Sequence, residues 1–273
     1  MGRKPKCVMI LSEGPSDRAA LTGFFTDLYA MIDPDIEVFF PVLSYERLNR
    51  DGDIETGYNG DITSRYGINK NNVMSLLLKL FIHPELKKHP AYEYPSSVCE
   101  VIHLVDIDGV FLRNNKIQNG DKMLKHPYYD TERNIIFAKD REAIIERNYR
   151  KRENLQKMIS EKKIKINIEK NANETREKPY RVYYFSKDLD HVLYGKANNE
   201  SYNKVNDAQA FANKYYNEPL EMARFFIYHK SASPVMDYMG SWQWLMDDQE
   251  TLLPRTNINV LVNELLERAK VKI

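Results

Sequence analysis

Three short stretches of the chain are apolar almost throughout: Cys7-Val8-Met9-Ile10-Leu11, Val101-Ile102-His103-Leu104-Val105 and Arg181-Val182-Tyr183-Tyr184-Phe185. Near-continuous apolar runs of this length predict strands buried on both faces, as parallel strands between helical layers are. Residues 18–32 show a different period, with Ala19, Ala20, Leu21, Phe24, Phe25 and Leu28 forming one broad helical face that Asp33-Pro34-Asp35 ends. Residues 36–43 then predict a second strand. This β-α-β opening predicts an α/β fold, a parallel sheet flanked by helices.

The remaining pattern predicts insertions around that sheet. Residues 44–70 are loop-rich, with turn signals at Asp51-Gly52-Asp53, Gly57-Tyr58-Asn59-Gly60-Asp61 and Tyr66-Gly67. A long loop of this kind inside a compact domain is more often functional than not. A helix is expected over 73–82, ending near Pro84, and a linker over 92–95. Residues 113–133 are polar and turn-rich, 134–138 predict a short strand, 141–160 a charged helix, and 167–177 a polar, mobile stretch. From Ser201 the chain reads as helical and rich in aromatics, with helices expected over 205–216, 220–229, 234–246 and 257–270. The expected organisation is an α/β domain over 1–200, with insertions near 44–70 and 110–180, and a helical, aromatic-rich C-terminal subdomain over 201–273. At helical spacing, the aromatics of that subdomain are expected in a core or an interface.

A chain of 273 residues with 42% hydrophobic and 29% charged residues has the makeup of a globular protein able to bury a sizeable core. Nothing in it approaches the ~20 apolar residues of a membrane span, and residues 1–6 carry no signal-peptide core. A cytoplasmic protein without a membrane partner is expected. Cys7 and Cys99 both fall on or beside predicted strands, as small buried residues rather than a disulfide or a zinc pair. The net charge of +1 gives no global attraction to nucleic acid. Locally, residues 140–181 hold thirteen Lys or Arg against eight Asp or Glu, among them Arg147, Arg150, Lys151 and Arg152. A solvated helix face and a phosphate-binding face account equally well for that run.

The candidate chemistry lies at the strand ends. The first apolar run leads into Glu13-Gly14-Pro15-Ser16-Asp17, with Pro15 or Ser16 placed to open a helix. The second leads into Asp106-Ile107-Asp108-Gly109, where the glycine can accommodate a turn. Ligands of open α/β sheets bind beyond the carboxyl ends of the strands, so acids from both ends can converge. Such an oxygen-rich set suits Mg2+ or Mn2+, and without a cation the three carboxylates would repel one another and take up protons. The third run also ends in acids, Ser186-Lys187-Asp188-Leu189-Asp190-His191. There, capping of a helix over 189–194 competes evenly with a site role, and His191 has no ligand partner at a recognisable spacing. Asp61 can approach the same place, but a turn role fits its sequence better.

This arrangement resembles the Toprim domain of type IA and II topoisomerases, bacterial primases and OLD-family nucleases. Glu13 matches that family's first-strand glutamate, Asp106 and Asp108 its DxD pair, and Asp17 the second acid of the EGxxE or EGxxD pattern in the OLD-like branch. The resemblance covers roughly residues 6–195, with insertions. It implies a Toprim-like Rossmannoid parallel sheet, one or two Mg2+ or Mn2+ ions, and phosphodiester cleavage. In that reading Glu13, Asp106, Asp108 and Lys187 are catalytic, and Glu13, Asp17, Asp106, Asp108, Asp188 and Asp190 are metal ligands. No tyrosine stands out as a topoisomerase nucleophile, and the chain has no room for a DNA gate or a primase zinc domain, so hydrolysis is favoured. The size is similar to that of nuclease subunits acting beside ATPases in bacterial anti-phage, abortive-infection systems, some of which cut tRNA. A nucleic-acid substrate, RNA or DNA, and an ATPase partner are implied, and self-association is left open. No Walker A loop is present, so any ATP would be bound by the partner.

Two other readings remain. Val105-Asp106-Ile107-Asp108-Gly109-Val110-Phe111 also resembles the nucleophile motif of haloacid-dehalogenase phosphatases, with Asp106 as nucleophile, Asp108 as general acid and Asp247-Asp248 as the later acid pair. That reading leaves Glu13 idle, and about a hundred residues precede a motif that usually opens its domain. The other is a catalytically inactive Toprim-like partner or sensor.

Overall fold

In the computed structural model the described residues are 6–41, 45–48, 54–57, 61–65, 67–80, 97–167, 175–198, 201–249 and 252–273. The turns expected at Asp51-Gly52-Asp53 and Tyr58-Asn59-Gly60, the linker over 92–95, the helix end near Pro84 and the middle of 167–177 lie outside them.

The three apolar runs form the adjacent strands β1 (Lys6–Leu11), β5 (Val98–Asp106) and β10 (Thr175–Phe185). With β2 (Ile36–Phe39) and β9 (Lys163–Asn167) they make a five-stranded sheet of order β2-β1-β5-β10-β9. All neighbours run parallel except the edge pair β9/β10. The sheet is buried on both faces, and alternate residues of each strand point to opposite layers. Val8, Ile10, Ile102 and Leu104 face a core with α1 (Pro15–Ile32), while Cys7, Met9, Leu11, Val101 and Val105 face the other.

On the second face lie α2 (Val73–Leu80) and α3 (Arg141–Ser160), the latter spanning the residues its charge pattern predicts. Asp140 caps α3 by accepting the N–H of Ala143 at 3.0 Å, and Leu155, Met158 and Ile159 carry its apolar stripe into the core. After β10 come α4 (Leu189–Tyr194), α5 (Ser201–Lys214), α6 (Pro219–Tyr228), α7 (Tyr238–Asp247) and α8 (Ile258–Ala269). Helices α5, α6 and α8 complete the core on the α1 side through Phe211, Phe226, Leu261 and Leu265, and Trp242 of α7 packs on the opposite side. The molecule is thus a mixed α/β structure with a mostly parallel central sheet between helical layers. No described helix is long and apolar enough to cross a membrane.

Two stretches expected to be loops contain strands. Within 44–70, β3 (Tyr45–Leu48) and β4 (Ile54–Gly57) pair as an antiparallel ribbon. Within 113–133, β6 (Ile117–Asn119) and β7 (Tyr128–Asp130) flank β8 (Ile135–Ala138), the short strand expected over 134–138, in a small sheet of order β6-β8-β7. Three-residue strands with burial at single positions are too short for a period of two to stand out from turn-rich sequence.

The topology fixes where a site can form. From β1 the chain turns to β2 on one side and later enters β5 on the other, so strand order reverses between β1 and β5. A crevice opens at such a reversal, at the carboxyl ends of the two strands. Register places Phe185 beside Asp106, and Ile107 donates to the Phe185 carbonyl at 2.9 Å. The exits of β1, β5 and β10 therefore share one end of the sheet.

Candidate metal centre

Glu13 follows β1 by two residues and is 9% exposed. Its Oε1 accepts the backbone N–H of Asp106 at 3.2 Å, which ties the exits of β1 and β5 together. Beyond it Gly14 caps α1, Pro15 opens the helix, and Asp17 Oδ2 accepts the Gly14 N–H at 3.1 Å. Asp17, expected as a metal ligand, is thus committed by one oxygen to a helix cap.

The Asp106–Gly109 turn places two successive residues in the left-handed region, Asp108 at φ 52° and Gly109 at φ 69°. Asp tolerates that conformation better than most side chains. At Gly109 a Cβ would also come within 2.7 Å of Ile136 Cδ1, so this position needs glycine for space as well as for φ. Helix α3 braces the turn from outside. Arg147 Nη2 donates to the Asp108 carbonyl at 3.2 Å and Arg152 Nη2 to that of Val110 at 2.8 Å.

Carboxylate oxygens of Glu13, Asp61 and Asp108 lie within 4.8 Å of one another. Asp61 is the member that its sequence suited better to a turn, and it fills both roles. Its Oδ1 accepts the N–H groups of Thr63 at 2.9 Å and Ser64 at 3.2 Å, and its Oδ2 turns inward. Into this set reaches Lys151 of α3, fully buried, with Nζ 2.8 Å from Asp61 Oδ2 and 3.1 Å from Asp108 Oδ2. The basic run over 140–181 thus supplies an internal ion pair at Lys151 and a brace at Arg147 and Arg152.

Asp106, expected inside the metal set, lies outside this close triad, between it and a second group. That second group forms where β10 ends. Asp188 caps α4, its Oδ1 accepting the His191 N–H at 2.9 Å, and its Oδ2 lies 2.6 Å from both Lys187 Nζ and Lys204 Nζ. Asp190 Oδ2 is 3.9 Å from Lys204 Nζ. Lys187 also lies over the Tyr129 ring, 5.0 Å from its centroid. Asp248, of the acid pair the phosphatase reading requires, is paired with Arg255 and lines a small cavity of about 30 Å³ that Tyr129 and Lys187 also line and that none of Glu13, Asp61 and Asp108 borders.

Electrostatics separate these groups. Burial, with the charges of Asp61 and Asp108, pushes the Glu13 carboxyl well above its usual range despite Lys151. Burial together with Glu13, Asp17, Asp188 and Asp108 does the same to Asp106. Asp17 is raised to about 7 by burial, which outweighs the Gly14 N–H. Burial would also raise Asp61 and Asp108, but Lys151 holds Asp61 below its usual range, and Lys151, Arg147 and Lys187 hold Asp108 at about 2. Asp188 is lowered too, its burial offset by Lys187 and Lys204. His191 is pushed down to about 4, chiefly by burial, and is neutral near pH 7.

All of these acids border one open cleft of about 990 Å³. Glu13, Asp61, Asp106 and Asp108 lie on its β1/β5 side, with Lys187, Asp188 and Lys204 beside them and Lys125, His126 and Tyr128 on a further wall. The donor set of the triad is all carboxylate oxygen, without sulfur or imidazole. It could hold a hard divalent cation such as Mg2+ or Mn2+ and is a poor match for zinc. Comparison of the chain with protein-family models, with curated proteins and with solved structures finds no match.

Proposed function

We propose that the chain is a Toprim-type nuclease that uses Mg2+ or Mn2+ to cleave phosphodiester bonds in RNA or DNA. The observation that carries this reading is the convergence of Glu13, Asp61 and Asp108 within 4.8 Å at the point where strand order reverses, bordering a large open cleft. A bound cation would supply Lewis-acid charge to a phosphate oxygen and ease deprotonation of the attacking water. The three carboxylates would hold it. Asp106, whose carboxyl is raised above its usual range by burial and by Glu13, Asp17, Asp188 and Asp108, stands beside them as the acid best placed to exchange a proton. Lys187, kept charged by Asp188 and Asp108 despite burial, borders the cleft where a phosphate oxygen would pass. A second ion, if used, would fall to Asp17, Asp188 and Asp190, where Lys187 and Lys204 already supply positive charge.

An ATPase partner, a role in cytoplasmic anti-phage defence and tRNA as one substrate are inferred from the resemblance at Glu13, Asp17, Asp106 and Asp108. The test is cleavage of tRNA, single-stranded DNA and duplex DNA with Mg2+ or Mn2+, comparing the wild type with Glu13→Ala and Asp108→Asn, alongside hydrolysis of a small phosphate monoester by the wild type, Glu13→Ala and Asp106→Asn. Metal-dependent cutting lost in both variants is the expected result. Cutting that persists in both would sink the site. Monoester turnover that survives Glu13→Ala but not Asp106→Asn would mean a phosphatase, and binding without any turnover an inactive sensor.

A further inference from the structure

We propose that Lys151 is a built-in counter-ion: it stands in for the divalent cation while none is bound, and the cation must take over oxygens that Lys151 now holds. The inference rests on the metal-site reading and concerns how that site is regulated.

The geometry of Asp61 carries the argument. One of its oxygens is used by the Thr63 and Ser64 N–H groups, so Oδ2 is the oxygen it has left for a ligand. That oxygen is the one Lys151 holds, at 2.8 Å. Lys151 makes the same claim on Asp108 Oδ2, at 3.1 Å. A cation ligated by Asp61 and Asp108 would therefore meet an ammonium on the same two oxygens, and like charges at such separations repel strongly when both are buried.

The ammonium is held there by its setting. Leu155 and Met158, on the same stripe of α3, are packed in the core. Asn154 Nδ2 donates to the Thr63 carbonyl at 2.8 Å and to that of Ile68 at 3.3 Å, which fastens α3 to the loop carrying Asp61. Lys151 and Asp61 are thus held together both directly and through the Asn154 bonds. A side chain with no exposed surface gains nothing from solvent, so a charge here is explained by the acids it faces. Three clustered carboxylates need positive charge whether or not an ion is present, and Lys151 supplies part of it at all times. The price is a weaker grip on the cation, which sets a threshold concentration for loading.

The experiment is Mn2+ binding to the full chain, by calorimetry or by the electron paramagnetic resonance signal of free Mn2+, for wild type, Lys151→Met and Lys151→Arg. Thermal unfolding of each is followed in EDTA and in saturating Mn2+. Lys151→Met is expected to bind Mn2+ about tenfold more tightly or better, to melt lower than wild type in EDTA, and to gain more from Mn2+. Lys151→Arg, which keeps the charge, is expected to bind close to wild type. If Lys151→Met is unfolded in EDTA, folding on addition of Mn2+, seen by circular dichroism, is the same result in extreme form. Affinity in Lys151→Met equal to or weaker than wild type, or failure to fold at saturating Mn2+, overturns the proposal. Tighter Mn2+ binding in a chain that cuts no nucleic acid would support the counter-ion and sink the nuclease, whereas metal-dependent cutting with unchanged affinity would do the reverse.

Discussion

The two charged groups bordering the cleft contain the same residue types and have different balances. Around Asp108, three carboxylates share one fully buried lysine, and Glu13 is left with a carboxyl far above its usual range. Around Asp188, one well-placed carboxylate receives two lysines and caps a helix, and its carboxyl is lowered. The first group has one lysine for three carboxylates, and the second, counting Asp17 and Asp190, has two lysines for three. An acid-rich sequence therefore does not by itself mark a metal site. The cluster around Asp108 is the one that a divalent cation would stabilise, whereas the one around Asp188 already resembles a structural ion pair with a cap.

Neutralising one acid in each group separates the two. Asp61→Asn is expected to lower metal-dependent cleavage on the order of 10²- to 10³-fold, and Asp188→Asn by less than about tenfold, measured as kcat/KM on the same nucleic acid. Comparable losses would mean that both groups hold ions. Asp188→Ala is also expected to cost about 1–2 kcal/mol through loss of the α4 cap, read from urea unfolding. A pH series tests Asp17, which belongs to the second group by its charges and to α1 by its cap. Its carboxyl is raised to about 7, so the folded chain holds a proton that the unfolded chain releases near pH 4. The stability this gives is full below about pH 4 and is lost as pH rises toward 7. Asp17→Asn keeps an oxygen for the Gly14 N–H and is expected to flatten that decline, visible as a stability gain at pH 8 larger than any at pH 5. The smallest effect is expected at Lys204→Met, where a partly exposed lysine leaves Asp188 still paired with Lys187. A change of under about 1 kcal/mol and unchanged Mn2+ affinity would set it apart from Lys151→Met.

The legible parts of the sequence were those governed by local period and by strand ends. Uninterrupted apolar runs at Cys7, Val101 and Val182 have one good solution, a buried parallel strand, and the acids that follow them must leave at one end of the sheet. Glu13 and Asp108 were readable for that reason. Asp61 was not, because it stands 45 positions before Asp106 and its approach depends on a loop fastened by Asn154, a contact without a local signature. Lys151 did leave a trace. Asn148, Lys151, Leu155 and Met158 recur at helical spacing on the buried side of α3, and a lysine on an apolar stripe is a misfit that needs a buried partner. In a helix with so many charges, that stripe is easily taken for part of a solvated face. Asp106 departs from the equal partnership that its spacing to Asp108 suggests: its N–H donates to Glu13 and its carboxyl is raised by burial and by Glu13, Asp17 and Asp188, but it stands outside the close triad.

The core on the α1 side has a consequence for the order of synthesis. Val8 and Ile10 of β1, which leads to Glu13, share that core with Leu261, Leu265 and Leu266 of α8. On the ribosome, β1 emerges about 250 residues before the helix that completes the cover of this face. Until then, that face of β1 is covered by α1 without α8. A nascent chain would therefore hold the β1 exit, and Glu13 with it, on a scaffold that still lacks part of one helical layer.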